Sequence, residues 1–224
     1  YNSNFIYPVN GSFEFVKSIL KRIPEEKILT KYRITGFDLE KKIAYSHTEE
    51  IKFNTLVSTL PFNKFLGMTG NSGAKLSGNK VSVFNLGFDK GTDIKSHWIY
   101  FPGDEIFYRI GFYNNILGSK RMSLYVEIGM RSDQPPLPEA SLLNAVIQDL
   151  KKTGIITDQR LIDHEYLVMD PAYAHITEDS KRIYAEWCET NNPSGIYSIG
   201  RYGSWTYCSI EDNIIQAKEL SQKI

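Results

Sequence analysis

The sequence has little of what most reactive sites are made from. Of its 224 residues, two are cysteine and four are histidine. Cys188 and Cys208 form no CxxC or zinc-type spacing, so the reading is two free thiols in a reducing compartment, the cytoplasm. His47, His97, His164 and His175 lie far apart and match no metal spacing, so no metal is expected. No apolar run approaches the ~20 residues of a membrane helix, and no secretory signal is visible. The sequon pattern Asn10-Gly11-Ser12 is therefore read as chance. The formal net charge is zero, which gives no general attraction to nucleic acid or to an anionic membrane. GxGxxG, the P-loop, HExxH and GxSxG are all missing, and three SxxK matches lack the partner motifs of an acyl-enzyme. These absences point to a binding lobe, not to a self-contained catalytic domain.

What is present is a core. Hydrophobic residues make up 42% of the chain, enough for one large domain or two small ones. Ser12 reads as the N-cap of a helix to about Arg22, with Phe13, Val16, Ile19 and Leu20 on one face. Short strands follow at Lys27–Thr30, Tyr32–Leu39, Lys42–His47, Glu50–Phe53 and Thr55–Thr59, then a short helix at Phe62–Met68. Gly67–Asn79, rich in Gly, Ser and Asn, reads as a mobile loop. Strand signals return at Lys80–Phe88, His97–Phe101, Phe107–Tyr113 and Met122–Met130, several alternating as a half-exposed antiparallel sheet does. A proline linker leads into a helix at Glu139–Thr153, closed by Gly154. Asp158–Val168 predicts a strand broken at Asp170-Pro171, and Thr177 caps a helix to about Thr190. The order is α+β, and without repeated strand–helix alternation it is not a complete doubly wound domain.

Ser194–Ser221 closes the chain with a short buried strand, a Gly-Arg-aromatic-Gly-Ser-Trp turn and an amphipathic helix. A strand feeding a glycine-flanked turn that opens a helix gathers backbone N–H groups, and anions bind there. Arg201 with Tyr202, Trp205 and Tyr207 suits a large, flat, anionic ligand.

Four segments, YPVNG at Tyr7–Gly11, LVSTLP at Leu56–Pro61, HWIYFPGDEIFYRIGF at His97–Phe112 and YSIGRYGSWTYCSIED at Tyr197–Asp212, resemble the C-terminal half of FAD-dependent amine-oxidase-type flavoproteins. The branch they resemble most is the one related to UDP-galactopyranose mutase, associated with polysaccharide biosynthesis. The resemblance implies an antiparallel substrate lobe with flanking helices, plus partial strands and the terminal helix of an FAD-binding domain whose Rossmann half is missing. It implies residues 1–58 as a returning segment of that domain, 59–191 as the substrate lobe and 192–224 as the FAD-contacting strand–turn–helix. The chain starts at Tyr1 in mid-pattern, as a piece of a longer protein would.

The resemblance also assigns residues. Gly200, Arg201, Gly203, Trp205, Glu211 and Asp212 would contact FAD, with Gly200 letting the backbone approach the isoalloxazine. Alternatively, Arg201 pairs with a carboxylate on the closing helix, and Glu211 and Asp212 are first-turn acids favoured by the helix dipole. Tyr100, Arg109, Tyr173 and Tyr207 would bind the pyrophosphate of a nucleotide-sugar, since tyrosine hydroxyls and an arginine supply unreactive donors. Tyr100 and Tyr207 also read as core-edge aromatics, and a structural carboxylate would serve Arg109 as well. The chemistry would belong to flavin N5 in an intact oxidoreductase or mutase-like enzyme, this stretch alone being inactive. A non-catalytic sugar- or nucleotide-binding module and an interaction domain are the alternatives.

Overall fold

The computed structural model describes residues 6–71, 73, 75–133, 135 and 137–224. In chain order the elements are α1 (Phe13–Leu20), β1 (Ile34–Asp38), β2 (Ile43–Ser46), β3 (Glu50–Lys52), β4 (Leu56–Ser58), α2 (Phe62–Met68), β5 (Gly78–Phe88), β6 (Trp98–Tyr100) and β7 (Arg109–Phe112). They continue with α3 (Tyr113–Leu117), β8 (Ser123–Met130), α4 (Glu139–Lys152), β9 (Leu161–Ala174), α5 (Glu178–Asn191), β10 (Ile196–Ser198), α6 (Gly200–Gly203) and α7 (Ile210–Ser221). The chain divides into two compact units, Tyr1–Ile28 with Lys80–Asp170 and Leu29–Asn79 with Pro171–Ile224.

The first unit holds a five-stranded sheet in the order β6-β7-β8-β5-β9. The pairs β6·β7, β7·β8 and β5·β8 are antiparallel. Side chains alternate across a strand, and one face of this sheet is continuous and apolar. Phe84, Leu86, Phe88, Ile110, Phe112, Leu124, Val126 and Ile128 pack there with Leu142, Val146 and Leu150 of α4. Helix α4 ends as its sequence predicts. Gly154 takes φ +73°, and the Ile155 N–H returns to the Leu150 carbonyl at 3.0 Å, which satisfies a carbonyl left open at the helix end.

In the second unit β1, β2 and β3 form an antiparallel meander, while β10 pairs with β4 in parallel. Its core gathers Phe62, Phe65, Leu66, Trp187, Ile196 and Trp205. The Phe62, Phe65, Tyr184 and Trp187 rings meet edge to face with centroids 5.3–5.6 Å apart, the arrangement the ring quadrupoles favour. Thr177 caps α5 as expected: its hydroxyl accepts from the Ser180 N–H, and the Ser180 side chain answers the Thr177 N–H.

The fold class is the expected α+β with antiparallel sheets, but several elements differ. β9 runs on through Pro171 instead of stopping before it. It is an edge strand, where a residue without an N–H can sit with no ladder bond to lose. No strand forms over 27–30; a 3₁₀ turn covers Glu25–Lys27 instead. α3, which carries no strong helical pattern, follows directly from β7. The apolar stripe of α1 is present, yet Phe13, Val16 and Ile19 are exposed and no residue of that helix is buried. In the Gly/Ser/Asn stretch, residues 72 and 74 lie outside the described residues, as do 134 and 136 of the proline linker and residues 1–5.

Candidate functional site

In the second unit the glycine-arginine turn is built from three directions. The Ile199 N–H donates to the Ser58 carbonyl at 2.9 Å, and the Ser198 hydroxyl donates to the Gly203 carbonyl at 2.8 Å. Gly200 sits at φ +83°, a region that costs an L side chain energy. A Cβ at Gly203 would lie 3.2 Å from both Ser198 Oγ and the Ser58 carbonyl oxygen. Helix α7 then takes the freed N–H groups: Gly200 donates to Gln216 Oε1 at 2.7 Å and Arg201 to Asn213 Oδ1 at 2.8 Å. These glycines are needed by the turn itself, and two of its N–H groups are bound internally.

Trp205 belongs to the core. It is 2% exposed, and its indole N–H donates to the His175 carbonyl at 3.3 Å, so it has no surface left for a flat ligand. Asp212 is likewise engaged. Its carboxylate accepts from the Ser209 N–H and hydroxyl at 2.7 Å each, in a reciprocal capping box that starts α7. Those bonds, the backbone one first, hold its carboxyl below the usual carboxylate range. Glu211 is exposed in the first turn of α7.

Arg201 is different. Its guanidinium lies over the Tyr207 ring at 4.3 Å and the Tyr173 ring at 5.8 Å, and it donates to the Cys208 carbonyl at 3.3 Å. No carboxylate pairs with it among the described residues. Tyr207 is 71% exposed. Tyr173 and Tyr207, expected to act together, are thus gathered around Arg201.

In the first unit, the sheet face away from α4 is polar and aromatic. Across one row Tyr100 pairs with Arg109, and Arg109 with Glu127. The Arg109 guanidinium donates to Glu127 Oε1 at 2.5 Å and to the Tyr100 hydroxyl at 3.3 Å. The Tyr108 hydroxyl donates to the other oxygen of Glu127. Glu127 is buried, so Arg109 has the structural carboxylate that one reading of the sequence offered. The next row aligns Trp98 with Gly111 and Gly111 with Tyr125. Tyr125 stacks obliquely on Tyr113, with centroids 5.2 Å apart. Tyr113 donates to Asn85 Oδ1 at 3.1 Å, and Asn85 donates to Glu165 at 2.8 Å. Beside them opens a cleft of about 300 Å³ lined by Asn85, Tyr113, Ser123 and Glu165.

Glu127, Tyr108 and Tyr125 were not among the residues singled out on the sequence. The signal was there in part: Glu127 sits between Val126 and Ile128 in a recognisable strand, an acid on an otherwise apolar stretch. Its partner became visible only with the register. Tyr184 was missed too. Its hydroxyl donates to the Ser198 carbonyl at 2.7 Å, with the Ser204 hydroxyl at 3.2 Å, and burial pushes its phenol up to about 12.

No protein-family model matches the chain, and no curated protein matches it. Solved structures do. A reduced UDP-galactopyranose mutase superposes with TM-score 0.76 at 22% identity, over 88% of this chain and 47% of that one. A protein from Exiguobacterium sp. 255-15, assigned in its structure as a protoporphyrinogen oxidase, gives 0.75 at 12% identity, over 98% and 53%. The CLA-producing fatty acid isomerase of P. acnes gives 0.67 at 13% identity, over 96% and 52%. The chain spans about half the length of these structures. At such identities the likeness is one of fold, and it is the fold that the resemblance to FAD-dependent amine-oxidase-type flavoproteins predicts.

Proposed function

We propose that this chain is the C-terminal half of an FAD-dependent oxidoreductase or mutase-like enzyme, and that Arg201 faces the cofactor. One observation carries the reading. A guanidinium lying over the Tyr207 ring at 4.3 Å, with the Tyr173 ring at 5.8 Å and no carboxylate partner among the described residues, is suited to a flat anionic group. Arg201 and the exposed Tyr207 therefore fit FAD. The N–H groups of Gly200 and Arg201 do not, because Gln216 and Asn213 already hold them. Glu211 lies near enough in sequence to take part, whereas Trp205 and Asp212 support the turn and helix.

When bound, the flavin would supply the redox or covalent chemistry at N5. The residues of this chain bind and orient. The five-stranded sheet, within the substrate lobe proposed for 59–191, would hold the substrate on its aromatic face. A nucleotide-sugar of polysaccharide biosynthesis is the substrate class proposed, and the cytoplasm the compartment. No helix of the described residues is long and apolar enough to cross a membrane.

The test is an absorption spectrum of the intact protein. It should show the visible flavin bands, and Arg201→Ala should weaken FAD binding by about tenfold or more, the scale of a lost charge-assisted contact. The 224-residue chain by itself should bind FAD weakly. A colourless intact protein after saturation with FAD overturns the proposal.

A further inference from the structure

We propose that the second unit carries a separate site for a small organic ammonium ion, in a hollow where α5 and α7 both end. The inference goes beyond the cofactor and substrate readings and rests on neither.

The field of the hollow comes first. It has a volume of about 230 Å³. Asn192, the C-cap of α5, lines it together with Glu219, Leu220 and Lys223 at the end of α7, and with Tyr197 and Ile199 around β10. All of these residues belong to the second unit. A helix C-terminus is the negative end of its dipole, so two such ends give the hollow a field of one sign. The last turn of α5 has no basic residue to offset it. The last turn of α7 has Lys218, which is not among the lining residues.

The hydrogen-bonding groups point the same way. Asn192 Oδ1 is buried and accepts from nothing among the described residues, and a buried acceptor without a donor is costly. Gln216 also lines the hollow, but its side-chain amide is already engaged by the Gly200 N–H and the Ser204 hydroxyl. Tyr184 gives its proton to the Ser198 carbonyl, so what its hydroxyl has left to offer is lone pairs. Glu219 is exposed and pairs with no cation among the described residues. The set lacks a positively charged donor. A primary ammonium supplies three N–H groups and one charge, while the Tyr197 ring and Ile199 offer a surface to its cation and short carbon chain. An anion would face Asn192 Oδ1, Glu219 and two helix ends, with Lys223 alone in its favour. A neutral hydroxyl would satisfy Asn192 but gain nothing from the field.

The experiment uses the 224-residue chain, ¹⁵N-labelled, at constant ionic strength. It is titrated with ethylammonium chloride and, separately, with three probes of different charge or type: ethanol, sodium acetate and potassium chloride. Ethylammonium should shift the Asn192 side-chain amide and the backbone amides of Tyr197 and Ile199 saturably, and the other three should leave them in place. Glu219→Gln should weaken ethylammonium binding about two- to fivefold, the scale of an exposed charge pair, and Lys223→Gln should strengthen it by a similar factor. Asn192→Ala should weaken it about tenfold, as for a lost hydrogen bond to a charged group. Should that variant fail to fold, the two exposed positions, with effects of opposite sign, decide the matter. An absent or unsaturable ethylammonium response overturns the proposal. So does an equal response to ethanol, acetate or potassium, or an affinity unchanged by Glu219→Gln. Binding seen only in Lys223→Gln would make the lysine's own ammonium the occupant and would overturn it as well. No readout involves flavin or the five-stranded sheet.

Discussion

Tyr125 lies directly above Gly111 on the neighbouring strand, so close that a Cβ at residue 111 would sit 2.0 Å from the ring. The glycine is there for space, since it carries no unusual φ. Gly111→Ala must push the Tyr125 ring aside and break its stack on Tyr113. The expected cost is about 1–3 kcal/mol, the range for overpacking, read as a lower denaturation midpoint. In a Tyr125→Ala background the added methyl has no ring to meet. There Gly111→Ala should cost much less, and equal costs in both backgrounds would contradict the contact.

Tyr184 makes the second unit sensitive to alkali. Its half-buried hydroxyl donates to the Ser198 carbonyl, and its pKa rises from 10.0 to about 12, chiefly through desolvation. The folded state thus holds the proton more tightly than the unfolded chain does. The contribution is complete below pH 10 and is lost as pH climbs toward 12. Unfolding followed by circular dichroism should show stability falling across that window. Tyr184→Phe should flatten the fall, and at neutral pH it should cost about 1–3 kcal/mol because the Ser198 carbonyl loses its donor.

The capping residue Thr177 was legible from the sequence alone, and its removal can be stated simply. Its hydroxyl accepts from the Ser180 N–H at 3.1 Å. Thr177→Ala should destabilise by about 1 kcal/mol, the usual value for a lost N-cap. Thr177→Ser should restore most of it, whereas equal losses for alanine and serine would assign the effect to packing of the threonine methyl.

What the sequence disclosed and what it withheld divide along physical lines. Local signals were enough for α4, closed by Gly154, for the Thr177 cap and for the strand–turn–helix around Arg201, because each is set by residues within a few positions. Pro171 misled because proline stops an interior strand but not an edge strand, and edge position is a property of the whole sheet. Glu127 was overlooked for a related reason. An acid between two apolar residues has no meaning until the register supplies Arg109 opposite it. Trp205 read as a ligand contact because the turn holds three aromatics; only the fold shows which of them points inward. The N–H groups of Gly200 and Arg201 looked available until Asn213 and Gln216, more than ten residues on, came back to meet them.

That return contact makes the last prediction. Gly200 and Gly70 lie in the same unit and hold similar backbone angles, φ +83° and +80°. They differ in surroundings: a Cβ at residue 200 would meet Asn213 Oδ1 at 3.0 Å, while at residue 70 it would meet nothing within 4 Å. Gly70→Ala therefore reports the left-handed backbone alone, a cost of about 1–2 kcal/mol. Gly200→Ala carries that cost and must also displace Asn213 from the Arg201 N–H, loosening the turn that aims Arg201 past Tyr207. It should lower the denaturation midpoint further than Gly70→Ala does, and in the intact protein it should weaken FAD binding where Gly70→Ala leaves it unchanged. Equal destabilisation by the two substitutions would show that Asn213 yields freely. The turn would then be held by the strand side, through Ser58 and Ser198, and not by α7.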